Sequence, residues 1–261
     1  MISFRSRKTA ITSVLARLKD PGRCDSTGLS KLDNAMGGGL YAGKAYGLQA
    51  RKKIGKTILL GTISYNLNLL GTKHLWVTAE MNDQELEQRQ LARALKKDSL
   101  SFMNGNIDVD EINNYLKNAP DNVHYANASG ISLIELEKLI DKAVNELNIQ
   151  GVIVDYLQLI KGKSQNRTEH LEYVAQSLAE MVRKYQIWCI VAAQLNQENN
   201  TRGGEGMLLA FDMVFNLNRE KFKTAAYLEM TESRYTSYVN IGSKNNPGLK
   251  LETNGPFFSE I

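Results

Sequence analysis

Cysteine and histidine are scarce in this sequence, and their spacing argues against two kinds of site. The two cysteines, Cys24 and Cys189, lie far apart, and Cys189 sits within an apolar run. A buried thiol in a reducing compartment is therefore favoured over a disulfide. The three histidines, His74, His124 and His170, lack the spacing of metal ligands, so we interpret them as structural.

Long apolar runs are also lacking. No stretch approaches the ~18 residues that cross a bilayer, so we expect a soluble protein without a membrane partner. Internal repeats and low-complexity linkers are absent too. The 261 residues, of which 43% are hydrophobic and 23% charged, suit one large α/β domain or a domain with a short appendage.

Acidic residues are nearly missing from the start of the chain. The first 24 residues contain six basic side chains and the single acid Asp20, a net charge of +5 against +4 for the whole chain. The rest of the chain is therefore near −1, and global charge gives little support for nucleic-acid binding by the main body. Any DNA contact there must come from local loops.

The basic start has two possible interpretations. It is rich in Arg and Ser, as an organelle transit peptide would be. However, Ile11, Val14, Leu15 and Leu18 recur at helical spacing. We favour a short amphipathic helix within residues 1–25 that packs on another surface, with one domain over residues 26–261.

Strand and helix signals alternate along that domain. Strand-like runs are Ala45–Ala50, His74–Thr78, Val123–Ala126, Gly151–Ile160, Ile187–Leu195, Asp212–Leu217 and Ala226–Met230. Helical periodicity covers 55–70, 83–96, 132–147 and 168–186, the third opening with the capping-box pair Ser132 and Glu135. The order predicts an α/β fold: a mainly parallel twisted sheet with helices on both faces. The last fifth predicts added antiparallel strands.

The strongest motif lies between a predicted strand and a predicted helix. It consists of Ala50, Arg51, Lys52, Lys53, Ile54, Gly55, Lys56 and Thr57. In a P-loop, backbone N–H groups and a helix N-terminus bind phosphates, a lysine reaches the β- and γ-phosphates, and a hydroxyl holds Mg²⁺. Lys56 and Thr57 fit these two roles. Ala50 departs from the usual pattern, which has glycine there, and the alternative is a basic loop before a helix.

Polar side chains follow three other predicted strands. Asp155 lies where P-loop enzymes carry the carboxylate associated with Mg²⁺. Glu80 and Gln194 follow the strands at His74 and Ile187. Because the carboxyl ends of parallel strands meet at one edge, we expect these side chains to converge, although either one alone is also typical of a solvated strand end. An acid there activates water, and an amide senses the γ-phosphate.

With these motifs the chain resembles the DnaB-like replicative helicases, a RecA-fold family of hexameric ring motors whose P-loop often reads Ala-Arg-x-x-x-Gly-Lys-Thr. Further matching residues are Glu80-Met81 with Arg89, Asp155-Tyr156-Leu157-Gln158-Leu159, Gln194-Leu195-Asn196, Thr27-Gly28-Leu29, Leu32-Asp33 and Gly38-Gly39-Leu40. The resemblance spans roughly residues 26–235. It implies an ATP- and Mg²⁺-dependent enzyme of the bacterial cytoplasm, in which Glu80 is the general base.

The resemblance also implies an arginine finger, commonly within Lys-x-Arg on a late strand. Glu232-Ser233-Arg234 stands at that place, so Arg234 becomes the finger while Glu232 replaces the expected lysine. Whether Lys244 substitutes for that lysine is left open. In the family the finger completes the site of the neighbouring subunit, which implies a homo-oligomeric ring.

DNA-gripping loops in the family follow the Asp and Gln strands, here Lys161–His170 and Gln197–Met207. The residues that the resemblance assigns to single-stranded DNA are Lys163, Arg167 and Arg202. By composition alone, both segments are equally typical of solvated surface loops. A helicase loader or primase is a further implied partner, and a collar domain does not fit before Thr27, which is typical of a phage or mobile-element helicase.

Two other functions remain open. A RecA-type recombination ATPase shares the fold and site but forms filaments around DNA. A non-motor ring that loads or inhibits a helicase binds nucleotide without moving along DNA. The presence of Lys56, Glu80, Asp155 and Arg234 favours an active enzyme over the second.

Overall fold

The computed structural model describes residues 6–19, 22–155, 157, 160–161, 167–195, 205–235 and 237–261. The α-helices are α1 Arg7–Lys19, α2 Ser30–Ala35, α3 Lys56–Leu69, α4 Asp83–Ala94, α5 Ser99–Met103, α6 Val109–Leu116, α7 Leu133–Lys142 and α8 Arg167–Tyr185. The strands are β1 Cys24–Asp25, β2 Leu40–Tyr41, β3 Ala45–Ala50, β4 His74–Thr78, β5 Val123–Asn127, β6 Gly151–Asp155, β7 Trp188–Gln194, β8 Met213–Arg219, β9 Ala225–Ser233, β10 Leu249–Glu252 and β11 Phe257–Glu260. None of the helices in the described ranges is long and apolar enough to cross a membrane.

Nine strands form one sheet in the order β11-β10-β9-β8-β3-β7-β6-β4-β5. The six strands from β8 to β5 run parallel to one another. The three strands at the other end, β9 to β11, are antiparallel additions from the end of the chain. The predicted α/β fold class is confirmed, including the antiparallel extension.

Alternate side chains of the central strands enter two separate cores. In β6, Val152 and Val154 pack with α7 and α8, whereas Ile153 packs on the opposite face with α3. All three are buried. Full burial of such a side chain contributes about 1.5–3 kcal/mol, so a strand that is apolar on both faces is stable only between two helical layers.

Some predicted boundaries are wrong. The strand predicted over Gly151–Ile160 ends at Asp155, and the Lys161 N–H instead bonds the Ile131 carbonyl. The run stays apolar after the strand because Leu157 and Ile160 are buried in the core. The short helices α5 and α6 were not predicted, because at five and eight residues they are too short to show a clear helical period.

The helix predicted over residues 132–147 forms with a change of type. Its capping box is present: the Ser132 hydroxyl accepts from the Glu135 N–H, and the Glu135 carboxylate accepts from the Ser132 N–H. The last turn, Ala143–Leu147, is π-helix and ends at Asn148 in the left-handed region at φ 54°. The sequence pattern thus predicted the helix and its start correctly, but not the π-helical turn.

Helix α1 forms as predicted, with an uncovered apolar face. Ile11, Val14, Leu15 and Leu18 are 47–74% exposed. They share one side of the helix because positions three and four apart lie one above the other. The division of the chain near residue 25 stays a prediction.

One of the two cysteines and one of the three histidines lie in the packed interior. Cys189 is buried and Cys24 exposed, and neither forms a disulfide. His74 is also buried; its Nδ1 donates to the Thr72 carbonyl at 2.9 Å, which leaves Nε2 to accept from the Ser64 hydroxyl at 2.7 Å. Burial lowers the pKa of His74 to about 4. Within the described residues no cluster of His, Cys, Asp and Glu has the makeup of a metal site.

Candidate active site

The loop between β3 and α3 has the backbone shape of an anion site. Lys53 and Gly55 lie in the left-handed region, at φ 67° and 114°. Alternation of backbone handedness turns successive N–H groups toward one side of a loop, and the N-terminus of α3 adds its partial positive charge there. Gly55 is also closely packed: a Cβ at this position would lie 3.2 Å from the Phe258 ring, so a larger residue there requires the ring to move by a few tenths of an ångström.

Asp155 joins the two residues that begin α3. The Thr57 hydroxyl donates to Asp155 Oδ2 at 2.9 Å, and Lys56 Nζ lies 3.3 Å from Oδ1. The carboxylate is 4% exposed at the end of β6. Its Oδ1 forms this ion pair but accepts no hydrogen bond from the described residues. A buried carboxylate oxygen therefore has coordination capacity to spare beside a hydroxyl.

This pair of oxygen donors fits magnesium. Mg²⁺ is usually held by one or two protein oxygens together with phosphates and water, and not by a dedicated cluster of carboxylates. Thr57 and Asp155 supply two such oxygens next to the β3–α3 loop, and their role as metal ligands stays a prediction.

Glu80 and Gln194 face the same cavity as the loop. Ala50, the last residue of β3, is in register with Gln194 of β7, so the amide stands directly beside the loop. Glu80 follows β4 and is exposed. Both residues line a cavity of about 490 Å³ together with Lys56 and Thr57. The predicted convergence at the carboxyl edge of the sheet is present.

Arg89 adds a cation to this cavity. A capping box at Asn82 and Glu85 starts α4, and Glu85 and Arg89, four residues apart on the helix, both line the cavity. Burial lowers the pKa of Arg89, while the carboxylates of Glu85, Asp155 and Glu80 act in the opposite direction. Arg89 thus lies close enough to Glu80, the predicted base, and to Asp155, a predicted metal ligand, to neutralise part of their charge.

Arg219, to which the sequence analysis gave no role, contacts the loop itself. It ends β8, and its Nε donates to the Ile54 carbonyl at 2.7 Å while Nη2 donates to the Lys53 carbonyl at 3.4 Å. Burial lowers its pKa. The rule that polar residues at strand ends line the site would have identified Arg219, had the predicted strand not stopped at Leu217.

A second cavity of about 270 Å³ adjoins the first across Arg51 and Arg219. Asn218, Tyr227 and Lys244 also line it. Lys244 lies 3.9 Å from Glu220, on the loop side of the sheet. Within one chain, Lys244 therefore does not stand beside Glu232, and the substitution for the missing lysine is not supported.

Arg234 lies at the opposite edge of the sheet. Because β9 runs antiparallel to β8, Ala226 pairs with Arg219 at the loop edge and Ser233 pairs with Met213 at the far edge. The Arg234 N–H donates to the Asp212 carbonyl, and its guanidinium contacts the Leu209 carbonyl. The structure does not bring Arg234 together with the other site residues of the same chain.

The predicted DNA contacts lie mostly outside the residues that the structure describes. Lys163 and Arg202 fall outside the described residues. Arg167 is the first residue of α8, but its side chain is likewise not described. These three assignments stay predictions.

Comparison with known proteins identifies a family and a fold. The model of the DnaB-like helicase C terminal domain matches residues 26–208, well over half of the chain. The replicative DNA helicase DnaB of Haemophilus influenzae is 22% identical over 89% of this chain and 54% of its own length. Its counterpart in Pasteurella multocida is 27% identical over 85% of this chain and 51% of its own. The chain thus spans about half the length of these relatives.

Two solved structures share the fold. One is an ATPase domain, which superposes with a TM-score of 0.82 at 17% identity, over 99% of this chain and 100% of that one. The other is the structure of a DnaB-like replicative helicase from work on its interactions with primase. It gives a TM-score of 0.81 at 17% identity, over 99% of this chain and 68% of that one. At this identity the likeness shows the fold alone.

Proposed function

Because the chain belongs to the family of the DnaB-like helicase C-terminal domain, we propose that it is the ATP-hydrolysing motor of a replicative DNA helicase. In this function the protein moves along one DNA strand and separates the duplex ahead of it. The observation that supports it most is the convergence at Asp155: the carboxylate contacts both Lys56 and Thr57, and Glu80 and Gln194 line the cavity beside them.

The proposed chemistry follows from these positions. The backbone N–H groups of the loop and of the first turn of α3 bind the β- and γ-phosphates, and Lys56 balances their charge. Glu80 accepts the proton of the attacking water, a role typically worth about 10²–10⁴-fold in rate. Gln194 donates its amide to the γ-phosphate, so its hydrogen bond is lost after hydrolysis.

Thr57 and Asp155 are the residues that would hold Mg²⁺. When bound there, the ion would supply positive charge that stabilises the negative charge of the phosphates and of the transition state. Asp155 fits because one of its oxygens is buried and accepts no hydrogen bond among the described residues. The second cavity, next to Arg219 and Tyr227, has room for the nucleoside half of ATP.

Arg234 supports a site shared between subunits. Asp212, which bonds Arg234, immediately precedes β8, and Arg219, which bonds the loop, ends it. The seven-residue separation between these two positions spans about 23 Å at 3.3 Å per residue. An arginine side chain does not reach that far, so Arg234 can act as a finger only in another copy. A head-to-tail ring satisfies this condition. In such a ring the phosphate-binding loop of each copy faces the end of the sheet that carries Arg234 in the next copy.

Charge and apolar surface support α1 as the element that joins copies. Residues 7–19 carry four basic side chains and no acid, and one face of the helix is apolar and exposed. Residues 98–121, around α5 and α6, carry five acids and one base, and exposed apolar side chains lie among them. The exposed apolar side chains of this segment are Leu100, Met103, Val109 and Leu116. We propose that α1 of one copy packs on α5 and α6 of the next.

The proposed DNA contacts are Lys163, Arg167 and Arg202, in the segments that follow β6 and β7. Those strands end at Asp155 and Gln194 respectively, so each segment starts beside the nucleotide. A loader or primase partner and a location in the bacterial cytoplasm belong to the same proposal.

ATP hydrolysis measured with and without single-stranded DNA tests this function. We expect Mg²⁺-dependent hydrolysis that single-stranded DNA stimulates and that Lys56→Ala abolishes. Lys142→Ala is the matched control, since Lys142 is an exposed lysine paired only with Glu146 among the described residues. Hydrolysis that Lys56→Ala leaves intact contradicts the site. Nucleotide binding without hydrolysis points to a non-motor ring.

A further inference from the structure

Arg219 makes a set of contacts that the proposed chemistry leaves unexplained. Its guanidinium donates to the carbonyls of Ile54 and Lys53 in the phosphate-binding loop and, through Nη1 at 2.6 Å, to the Lys223 carbonyl. Lys223 lies in the turn between β8 and β9, where its N–H bonds the Glu220 carbonyl. One side chain therefore ties the loop to a turn more than 160 residues later in the chain.

The contacted carbonyls belong to the part of the loop that most needs support. Lys53 is a non-glycine residue in the left-handed region, a conformation that persists only where the surroundings impose it. Arg51, Lys52 and Lys53 are three consecutive exposed cations, and their mutual repulsion favours an open loop. The backbone bond that closes the loop on itself, from the Ile54 N–H to the Arg51 carbonyl, is long at 3.4 Å.

A peptide unit has its carbonyl and its N–H on opposite sides. When Arg219 fixes the Lys53 and Ile54 carbonyls, the N–H groups of Ile54 and Gly55 in the same peptide units point the other way; among the described residues the Ile54 N–H makes only the long 3.4 Å bond to the Arg51 carbonyl, which a bound phosphate replaces. An unfixed loop is free to turn those carbonyls toward the phosphates, where their negative ends repel the ligand. No carboxylate in the described residues forms an ion pair with Arg219, so its positive charge is not cancelled locally.

We propose that Arg219 is a positioning residue of the phosphate-binding loop, which holds the loop carbonyls so that the N–H groups remain turned toward phosphate. This inference rests on the nucleotide-binding part of the proposed function. It requires a planar group with several donors, because the guanidinium bridges the loop and the β8–β9 turn at once. Lysine keeps the charge but offers a single nitrogen, so it cannot make the same bridge.

The test compares Arg219→Lys and Arg219→Met with the parent protein and with Lys223→Ala. The last variant removes a nearby positive charge but retains the carbonyl that Arg219 contacts. Dissociation constants are measured for Mg-ADP and for inorganic tripolyphosphate, which has no base or sugar. Hydrogen exchange of residues 51–57 is followed in the same proteins.

We expect both Arg219 variants to bind both ligands at least about tenfold more weakly, since each hydrogen bond to a charged group is worth about 1.5–3 kcal/mol. Exchange in the loop should rise selectively, and Lys223→Ala should bind like the parent. Arg219→Lys with parental affinity overturns the inference, because charge alone then suffices. Weaker binding of ADP but not of tripolyphosphate also overturns it, since Arg219 then acts on the nucleoside.

Three further outcomes also have a definite meaning. If Arg219→Met does not fold, Arg219→Lys and its loop exchange decide the matter. A lower melting temperature with unchanged affinities means a purely structural role and contradicts the inference. If the parent protein binds neither ligand, the proposed function fails instead, and the two failures are therefore distinguishable.

Discussion

Replacement of Arg234 by alanine tests whether each active site is built from two copies of the chain. The position of Arg234 allows it to reach only the nucleotide that a neighbouring copy binds. The strand β8 separates Arg234 from the loop of its own chain by about 23 Å. We therefore expect Arg234→Ala to bind nucleotide like the parent protein, since its own loop is untouched. Turnover should fall by about 10³–10⁵-fold, the contribution of arginine fingers in comparable P-loop enzymes.

The decisive assay measures ATP hydrolysis after two inactive variants, Arg234→Ala and Lys56→Ala, have been mixed. Arg234→Ala supplies an intact loop and Lys56→Ala an intact finger, so each protein alone should be inactive. In an equal mixture of freely exchanging head-to-tail rings, about one interface in four joins an intact loop to an intact finger. We therefore expect recovery of up to about a quarter of the parental rate per site. Any cooperation between sites reduces this figure.

Subunit exchange must be verified with labelled proteins before the result is interpreted. The matched control is Arg183→Ala, which removes an exposed arginine from the last turn of α8, at the same edge of the sheet as Arg234. We expect this variant to keep parental turnover. Verified exchange without recovery would refute the shared site, and so would a monomer with full activity.

Three further predictions concern the base, the DNA loops and the buried histidine. Glu80→Gln should bind ATP normally and hydrolyse it about 10²–10⁴-fold more slowly in single-turnover assays; full turnover would move the base elsewhere. Joint replacement of Lys163, Arg167 and Arg202 by alanine should spare basal hydrolysis and lower the salt slope of single-stranded DNA binding by about 2, at 0.7 per phosphate contact; an unchanged slope means no backbone contact. The folded-state pKa of His74 lies near 4 against 6.5 unfolded, so its neutral form contributes stability that is complete above pH 6.5 and is lost as the pH falls toward 4. That loss amounts to roughly 3 kcal/mol, and it should be absent from the melting curves of His74→Gln across this range; identical pH dependence in both proteins contradicts it.

The sequence was sufficient to predict the positions of those site residues that depend only on the order of strands and helices along the chain. Lys56 and Thr57 follow a strand and begin a helix, so the loop fixes them. Asp155 and Gln194 end parallel strands, and parallel strands end at one edge. For these residues the predicted and observed positions agree, because the hydrophobic period locates the strands and parallel strand order places their ends at the same edge.

The features that the sequence could not predict depend on contacts between segments that are far apart along the chain. A longer predicted β8 would have placed Arg219 at the loop edge, but its hydrogen bond to Ile54 joins residues 165 positions apart, and no local pattern encodes that contact. The β6 strand was predicted too long because Leu157 and Ile160 are apolar for packing reasons, although the backbone has already left the sheet. Lys244 is near Glu232 in sequence but lies on the loop side of the sheet, beside Glu220, since the intervening chain returns along β9.

Unwinding of a forked DNA duplex tests the central claim most directly. Parent protein and Glu80→Gln are compared on the same fork with ATP, while hydrolysis is recorded in parallel. We predict that the parent separates the strands as it hydrolyses ATP, and that Glu80→Gln binds the fork without opening it. Strand exchange between homologous DNAs without unwinding, or equal unwinding by both proteins, would contradict the account.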